Sequence, residues 1–478
     1  MTFAQLSELL GSAGCGIGLC CDSRDVGEGD CFVAVGGSRF DGHDFISQAI
    51  SNGAGYIVCE KRVDCAKAEM VIVDDSGAAL GLLAQAALGN PSSKLTNLAV
   101  TGTNGKTTVG YLAGSVIRTA GQKCGLIGTI VYDTTTETAD ASLTTPDALE
   151  IAELARKMVD EKARFMVIEA SSHSLSQHRL SGIKFAAAAF TNLTGDHLDY
   201  HGTRDDYLAA KTRLFTELAA DGTAILNAQS PAAEKIARQI KTRILWYGVD
   251  AEADITGRIE SMDISGSVYT LGFGGREVRV KTSLTGRHNI SNHLAAAGLC
   301  IAAGFDLPAI GRGLSALKSV PGRLEAVDCG QEFSVFVDYA HTDDALKNVL
   351  DTLKLLCKGK LIVVFGCGGD RDKTKRPRMA KVAEDLADQI IVTSDNPRME
   401  RAEEIINDII AGFSEPDAES IVIKPDRREA IESAVKTAGG DDIVLIAGKG
   451  HETYQLVGNT KYDFNDAEIV REFLGKNR

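Results

Sequence analysis

Long apolar runs are missing: no stretch of the 478 residues approaches the ~18 continuous apolar residues of a membrane span. No membrane partner is expected. Positive charge is in deficit, with 65 Asp and Glu against 51 Lys and Arg and a formal charge of −14. This balance argues against a nucleic-acid or anionic-membrane partner and leaves room only for local basic pockets that hold phosphate. Paired cysteines are absent as well. The 11 cysteines show no C-x-x-C spacing, and Cys20-Cys21 has no matching pair, so reduced, mostly buried thiols are expected, and neither a disulfide framework nor a zinc site. The start Met1-Thr2-Phe3-Ala4-Gln5 lacks the basic residues that open a signal peptide, so a cytoplasmic location is expected. What remains is 44% apolar residues, enough for ordinary soluble cores, over a length that suggests roughly three domains.

What the chain does have is a phosphate-binding turn. Val100-Thr101-Gly102-Thr103-Asn104-Gly105-Lys106-Thr107-Thr108 follows the apolar Leu98-Ala99-Val100 and leads into the helical pattern Val109-Gly110-Tyr111-Leu112-Ala113. Such a strand-to-helix turn aims backbone N–H groups and a helix N-terminus at an anion. Gly102 and Gly105 let the backbone approach phosphate, Lys106 can reach the terminal phosphates, and the Thr107 hydroxyl is placed to hold Mg²⁺. ATP is the expected ligand. The common P-loop has a glycine five residues before Gly105, where this chain has Val100.

Residues 1–90 predict a small α/β domain with strands at Cys31-Phe32-Val33-Ala34-Val35, Gly55-Tyr56-Ile57-Val58-Cys59 and Val71-Ile72-Val73. Its Asp22-Ser23-Arg24-Asp25-Val26, Gly29-Asp30 and Asp41-Gly42 segments set polar groups beside glycine turns, which solvated turns explain equally well. Gly89-Asn90-Pro91-Ser92-Ser93 reads as a link to a second domain, 91–318, where buried strands alternate with amphipathic helices. That is the pattern of a mostly parallel sheet covered on both faces. A third domain, 319–478, repeats it with strands at Ser334-Val335-Phe336-Val337, Leu361-Ile362-Val363-Val364-Phe365, Ile390-Ile391-Val392 and Ile443-Val444-Leu445-Ile446. The fold class is α/β throughout, the third domain Rossmann-like.

Polar clusters follow several of these strands, where an open α/β sheet places its ligands. Behind Phe165-Met166-Val167-Ile168 comes Glu169-Ala170-Ser171-Ser172-His173-Ser174-Leu175-Ser176-Gln177-His178-Arg179; Glu169 is well placed as an Mg²⁺ ligand beside Thr107, since hard cations prefer oxygen. Behind Ala186-Ala187-Ala188-Ala189-Phe190 comes Thr191-Asn192-Leu193-Thr194-Gly195-Asp196-His197-Leu198-Asp199-Tyr200-His201-Gly202. In the third domain Asp370-Arg371-Asp372-Lys373, Ser394-Asp395-Asn396-Pro397-Arg398 and Ala447-Gly448-Lys449-Gly450-His451-Glu452 each end a strand. Together they offer two guanidiniums, Arg371 and Arg398, and two carboxylates, Asp395 and Glu452. Such a pocket suits a zwitterion with an extra carboxylate, because arginine binds carboxylates bidentately. Gly366-Cys367-Gly368-Gly369-Asp370 is not the dinucleotide fingerprint, and NAD is not expected.

The variant Gly-Thr-Asn-Gly-Lys-Thr-Thr is similar to that of the Mur ligases and of the related folylpolyglutamate synthetases. With both strand-end clusters and Asp-Asn-Pro-Arg added, essentially the whole chain resembles the Mur ligases, and within them those that add the third residue of the peptide. The resemblance implies roles. Ser171, Gln177, Arg179, Thr144 and Thr145 would bind the UDP-muramoyl-dipeptide substrate. In the first domain Cys21 and Ser23 would touch uridine, with Ser38, Arg39 and Phe40 near the uracil or diphosphate. Thr103, Asn104 and Thr108 would complete the ATP loop; Asn289 and Asn292 would hold adenine, Asp338 the ribose, and Arg323 would lie near the γ-phosphate. A second Mg²⁺ would sit on His197 and on Lys211, carbamylated to N6-carboxylysine and so turned from a cation into an oxygen ligand. Asn227-Ala228-Gln229-Ser230 lacks the acidic residues usual in the family, and no site is assigned there.

In this family Asp-Asn-Pro-Arg marks meso-diaminopimelate as the added amino acid, with Arg371, Asp395, Asn396, Pro397, Arg398, Gly448 and Glu452 as its pocket. A lysine substrate would leave Arg398 unpaired, at roughly 1–3 kcal/mol. The reaction implied joins meso-diaminopimelate to UDP-N-acetylmuramoyl-L-alanyl-D-glutamate at the expense of ATP, in a monomer, with Lys106, Lys211, His197 and Arg323 catalytic. A lysine-adding ligase, a folylpolyglutamate synthetase and a P-loop switch protein stay open at this level; Arg398, the Asp-Ser-Arg segment and the amine-binding third domain argue against each in turn.

Overall fold

The computed structural model describes residues 1–478 apart from 38–39, 64–66, 196 and 477–478. Three principal sheets carry the described chain. In the first, parallel strands Leu19–Cys20, Cys31–Val33, Tyr56–Cys59 and Glu69–Ile72 pair in chain order. The expected strands are present with shifted ends: two are shorter, Cys31–Val33 and Tyr56–Cys59, and the third, Glu69–Ile72, begins two residues before Val71. The expected link is itself structured: Asn90 turns left-handed at φ 53°, and Pro91–Lys94 forms a 3₁₀ turn.

The second sheet has eleven strands. Its middle is parallel, with Thr96–Thr101 set between Phe185–Phe190 and Phe165–Glu169. The strand that feeds the phosphate turn thus lies between the two strands that feed the polar clusters. Alternation explains why this sheet has a helical layer on each side. Leu98, Val100, Val167, Ala187 and Ala189 join one apolar cluster, while Ala99, Met166, Ile168, Ala188 and Phe190 join the other. Successive side chains of a strand point to opposite faces, so a continuous apolar run fills both. Both edges turn antiparallel, through Ile255–Asp263, Gly266–Phe273 and Arg276–Thr282 at one side and Val131–Asp133 and Thr138–Asp140 at the other.

The third sheet orders Glu325–Ala326, Ser334–Asp338, Ile443–Ala447, Leu361–Phe365, Gln389–Val392 and Ile421–Ile423. All pairs but the first are parallel. Leu361, Val363 and Phe365 fill one face, Ile362 and Val364 the other. Because Ile443–Ala447, Leu361–Phe365 and Gln389–Val392 are neighbours, the three polar segments behind them converge. A hairpin, Tyr454–Val457 with Thr460–Asp463, lies beside them. No helix is long and apolar enough to cross a membrane among the described residues.

Candidate functional site

The phosphate turn has the backbone its glycines were expected to allow. Gly102 sits at φ 147° and Gly105 at φ 90°, conformations open to glycine at little steric cost. Space is equally restrictive: a Cβ on Gly102 would lie 1.9 Å from Thr191 Oγ1, and one on Gly105 would lie 2.3 Å from Asn292 Oδ1. Helix Lys106–Thr119 begins at once, so its free N–H groups face the turn. Lys106 bends back and donates to the Gly102 and Thr103 carbonyls at 3.0 and 2.9 Å. The turn is buttressed by its neighbouring strand end, where the Asn192 carbonyl takes Thr103 N–H at 2.9 Å and its side-chain oxygen takes Asn104 N–H at 3.0 Å. Thr191 and Asn192 were visible in the sequence only as part of a polar cluster.

Thr107 and Glu169 meet. The Thr107 hydroxyl donates to Glu169 Oε2 at 3.0 Å, and Thr129 donates to both carboxylate oxygens, from its amide at 2.9 Å and its hydroxyl at 2.9 Å. Glu169 is buried. Thr129, not singled out from sequence, fixes the rotamer of this carboxylate. From the third sheet's unit Arg323 reaches the same hydroxyl, Nη2 to Thr107 Oγ1 at 3.2 Å, and its guanidinium stacks over the Tyr339 ring at 4.7 Å.

Lys211 is buried in helix Arg204–Thr216. Its Nζ donates to the Gly102 carbonyl at 2.9 Å and lies 4.3 Å over the Tyr207 ring, so it touches the phosphate turn directly. His197 takes the left-handed φ of 54° and lies exposed near Tyr207, with ring centroids 6.2 Å apart. His173 is 4.9 Å from it by the same measure. Asp196 lies outside the described residues. Thr144, Thr145, Ser171, Gln177 and Arg179 form one connected shelf beside Glu169. Thr145 Oγ1 donates to the Glu169 carbonyl at 2.6 Å and accepts Ser171 N–H at 3.0 Å. Thr144 Oγ1 lies 3.2 Å from Thr129 Oγ1, within hydrogen-bond distance. Arg179 donates to the Thr145 carbonyl at 2.7 Å and to Gln177 Oε1, and burial lowers its guanidinium from the usual value.

A cleft of about 490 Å³ opens from the turn toward the third sheet's unit. Thr108, Asn289 and Asn292 line it on one side, Asp338, Ala345 and Val349 on the other. Asn289 and Asn292 are joined by a 3.3 Å hydrogen bond. Asp338 accepts the amides of Leu324 and Ala340 at 2.6 and 2.8 Å, and burial raises its carboxyl against the pull of Arg323. Asn104 closes the cleft floor by donating to Asp344 Oδ2 at 3.0 Å.

The third cluster converges around Asn396. Its Nδ2 donates to Glu452 Oε2 at 2.7 Å, and the fully buried Lys449 ammonium donates to Asn396 Oδ1 at 3.1 Å and Glu452 Oε2 at 3.0 Å. Gly448 stands against Asp395, where a Cβ would come within 2.6 Å of Oδ2. The Pro397 carbonyl packs where a Cβ on Gly369 would be, 1.9 Å away. Arg398 is left-handed at φ 53° and is held by main-chain bonds to the hairpin, its N–H to the Leu456 carbonyl at 3.0 Å and its carbonyl to Gly458 N–H at 2.8 Å. Its guanidinium donates to the Gly369 carbonyl at 2.8 Å and has no carboxylate partner among the described residues. Arg371 is exposed and stands apart from these bonds.

The first sheet's candidates are less gathered. Ser23 is buried and donates to Gln48 Oε1 at 3.0 Å, so its hydroxyl points into its own unit. Arg24 is taken by Asp22, Nη2 to Oδ2 at 2.5 Å. Cys21 and Phe40 are exposed; Ser38 and Arg39 lie outside the described residues.

Three family models match the chain: "Mur ligase family, catalytic domain" over residues 17–87, "Mur ligase middle domain" over 100–300 and "Mur ligase, glutamate ligase domain" over 322–450. The UDP-N-acetylmuramoyl-L-alanyl-D-glutamate--2,6-diaminopimelate ligase of Bacillus licheniformis is 44% identical over 459 residues, 95% of this chain and 93% of its own. The ligase of the same name from Aquifex aeolicus is 42% identical over 96% of this chain and 93% of its own. A solved structure of a ligase of that name superposes with a TM-score of 0.67 at 35% identity, covering 96% of this chain and 95% of that one. The fold is also that of a MurF ligase from Thermotoga maritima in complex with ADP, with a TM-score of 0.65 at 21% identity over 98% and 100% of the two chains.

Proposed function

The chain belongs to the Mur ligase family, and on that premise we propose that it is an ATP-dependent ligase that joins meso-2,6-diaminopimelate to UDP-N-acetylmuramoyl-L-alanyl-D-glutamate. The D-glutamyl γ-carboxylate attacks the ATP γ-phosphorus, giving ADP and an acyl phosphate. An amino group of diaminopimelate then adds to the acyl carbon, the C–O bond to phosphate breaks, and the tripeptide product carries a new amide. The step belongs to peptidoglycan precursor synthesis, in the cytoplasm and by a monomer, and so serves wall growth, cell shape and division.

The residues divide the work. The Gly102–Thr108 turn and Lys106 cradle the ATP phosphates, Lys106 leaving its two loop carbonyls for the anion. Arg323, already at Thr107, neutralises charge on the transferring phosphoryl group. Asn289, Asn292 and Asp338 hold the nucleoside, and the Thr144, Thr145, Ser171, Gln177 and Arg179 shelf presents the acceptor carboxylate. Cys21 and Ser23 serve the uridine end, with Ser23 acting through its buried hydrogen bond. The paired hard oxygens of Thr107 and Glu169, 3.0 Å apart, fit Mg²⁺, and His197 with carbamylated Lys211 would hold a second ion. A carbamate nitrogen keeps one N–H, so the bond to the Gly102 carbonyl survives the modification. Bound Mg²⁺ supplies charge neutralisation at the phosphates.

The observation that carries the amine assignment is the Arg398 guanidinium, bound to the Gly369 carbonyl and to no carboxylate among the described residues, in the cluster that also holds Asp395 and Glu452. A second amino-acid head, with its own carboxylate and ammonium, matches that set of groups. The test is ADP release with UDP-N-acetylmuramoyl-L-alanyl-D-glutamate and Mg²⁺, in the presence of meso-diaminopimelate, L-lysine or no amine. Turnover and a tripeptide mass with meso-diaminopimelate alone are expected. Preference for lysine would refute the role of Arg398, and turnover indifferent to amine would refute the ligase.

A further inference from the structure

Behind the proposed amino-acid pocket lies an ion pair with no exposed atom on either side chain. Arg427 opens helix Arg427–Thr437 and Asp466 opens helix Asp466–Lys476; both side chains are 0% exposed. The pair is bidentate, Nε to Oδ1 at 2.8 Å and Nη2 to Oδ2 at 2.7 Å. The remaining donors go to two strand ends. Nη2 donates to the Ala447 carbonyl at 3.0 Å, and Nη1 reaches the Ser394 carbonyl at 3.4 Å. Ala447 directly precedes Gly448, whose segment ends at Glu452, and Ser394 directly precedes Asp395-Asn396-Pro397-Arg398. One guanidinium plane therefore spans the roots of both arms of the pocket.

Stability alone does not account for this placement. A cation at the start of a helix opposes the helix dipole. A buried ion pair is often no better for stability than well-packed apolar residues of like volume. What the pair does supply is geometry and charge. The guanidinium fixes the distance between two loops that a hydrophobic contact would let slide, and Asp395 and Glu452 both act on it electrostatically.

We propose that Arg427, held by Asp466, is a positioning residue that sets the spacing of the Asp395–Arg398 and Gly448–Glu452 arms and so governs affinity for the incoming amino acid. The inference rests on the ligase reading above. Its role is confined to one substrate: neither residue contacts the phosphate turn or the dipeptide shelf.

The test compares wild type with Arg427→Lys and with the charge-neutral double variant Arg427→Met/Asp466→Leu, measuring Tm and KM for each of the three substrates. Arg427→Lys keeps the charge but cannot reach both carbonyls and Asp466 at once. Expected is a rise in KM for meso-diaminopimelate of at least tenfold in the double variant and a smaller rise in Arg427→Lys. KM for ATP and for UDP-N-acetylmuramoyl-L-alanyl-D-glutamate should stay within twofold of wild type. An unchanged diaminopimelate KM in Arg427→Lys, or all three constants rising together with a fall in Tm, would overturn the proposal. If wild type fails to use diaminopimelate, the ligase reading itself falls, and that is a separate result.

Discussion

Replacing Arg398 by glycine tests the amine assignment with little structural disturbance. The residue sits at φ 53°, which glycine adopts without strain, and its main-chain bonds to Leu456 and Gly458 do not depend on the side chain. Lost are one bond to the Gly369 carbonyl and the guanidinium offered to the ligand. Two charge-assisted bonds to a carboxylate contribute about 1.5–3 kcal/mol each. For a half-buried guanidinium the lower end applies, giving about 3 kcal/mol in total. At about 1.4 kcal/mol per decade this is roughly a 100-fold loss in kcat/KM for meso-diaminopimelate. Lysine should lose nothing, since it leaves the guanidinium unpaired, and should gain modestly. The assay is tripeptide formation with each amine in competition, followed by mass. The reasoning is refuted if the selectivity ratio stays within threefold of wild type, or if both amines fall equally. Gly368→Ala is an independent check, because a Cβ there would stand 2.7 Å from Arg398 Nη1 and push the guanidinium aside, shifting the ratio the same way.

Four further outcomes follow from the geometry. Gly102→Ala puts a methyl 1.9 Å from Thr191 Oγ1 at φ 147°, so nucleotide binding by calorimetry should vanish while the fold loses on the order of 2–4 kcal/mol in denaturant. Glu169→Gln keeps the hydrogen bond from Thr107 and removes the charge; turnover should fall on the order of 100-fold and need more Mg²⁺ to saturate, and an unchanged Mg²⁺ titration would refute the ligand assignment. Carbamylation of Lys211 predicts a carbamate carbon resonance with ¹³C-bicarbonate that disappears in Lys211→Arg together with activity. Glu400 is held down at about 2 by Arg376 first of all, below its ordinary 4.5. Its contribution to stability is therefore full above pH 4.5 and lost as pH falls toward 2. The unfolding free energy of Glu400→Gln in denaturant should lie below that of wild type at neutral pH, by on the order of 2 kcal/mol, and the two should converge in acid; a constant gap would refute the pairing.

The sequence made some of this legible and hid the rest for physical reasons. Gly102, Gly105 and Lys106 could be read because a phosphate turn is local: its backbone, helix start and ligands lie within nine residues of chain. The strands around it were equally plain, since continuous apolar runs such as Phe165–Ile168 and Leu361–Phe365 have few alternatives to a buried parallel strand. The antiparallel edges were not, because their alternating, half-polar residues also suit exposed turns. Pairings across long separations were harder to read. Glu169 could be set beside Thr107 from the strand ends and Arg323 near the γ-phosphate from the family resemblance, but nothing near Asn104 announces Asp344. Thr129 is one threonine among many until Glu169 folds beside it, and Lys449, Arg376 and Arg427 look like solvated charges in a one-dimensional reading. Ser23 illustrates the converse: its motif is recognisable, yet its hydroxyl serves Gln48 inside its own unit.

The cleft beside the phosphate turn is bounded by Asn289 and Asn292 on one unit and by Asp338 and Val349 on another. A nucleotide held there gains part of its affinity only while the two units are docked, through walls that touch at Asn104–Asp344 and Thr107–Arg323. By reciprocity of linkage, docking must then raise nucleotide affinity by the same factor as the nucleotide favours docking. On the proposed reading, occupancy and alignment of the two half-sites are two readings of one equilibrium, in which ATP would join the units together before serving as a reagent.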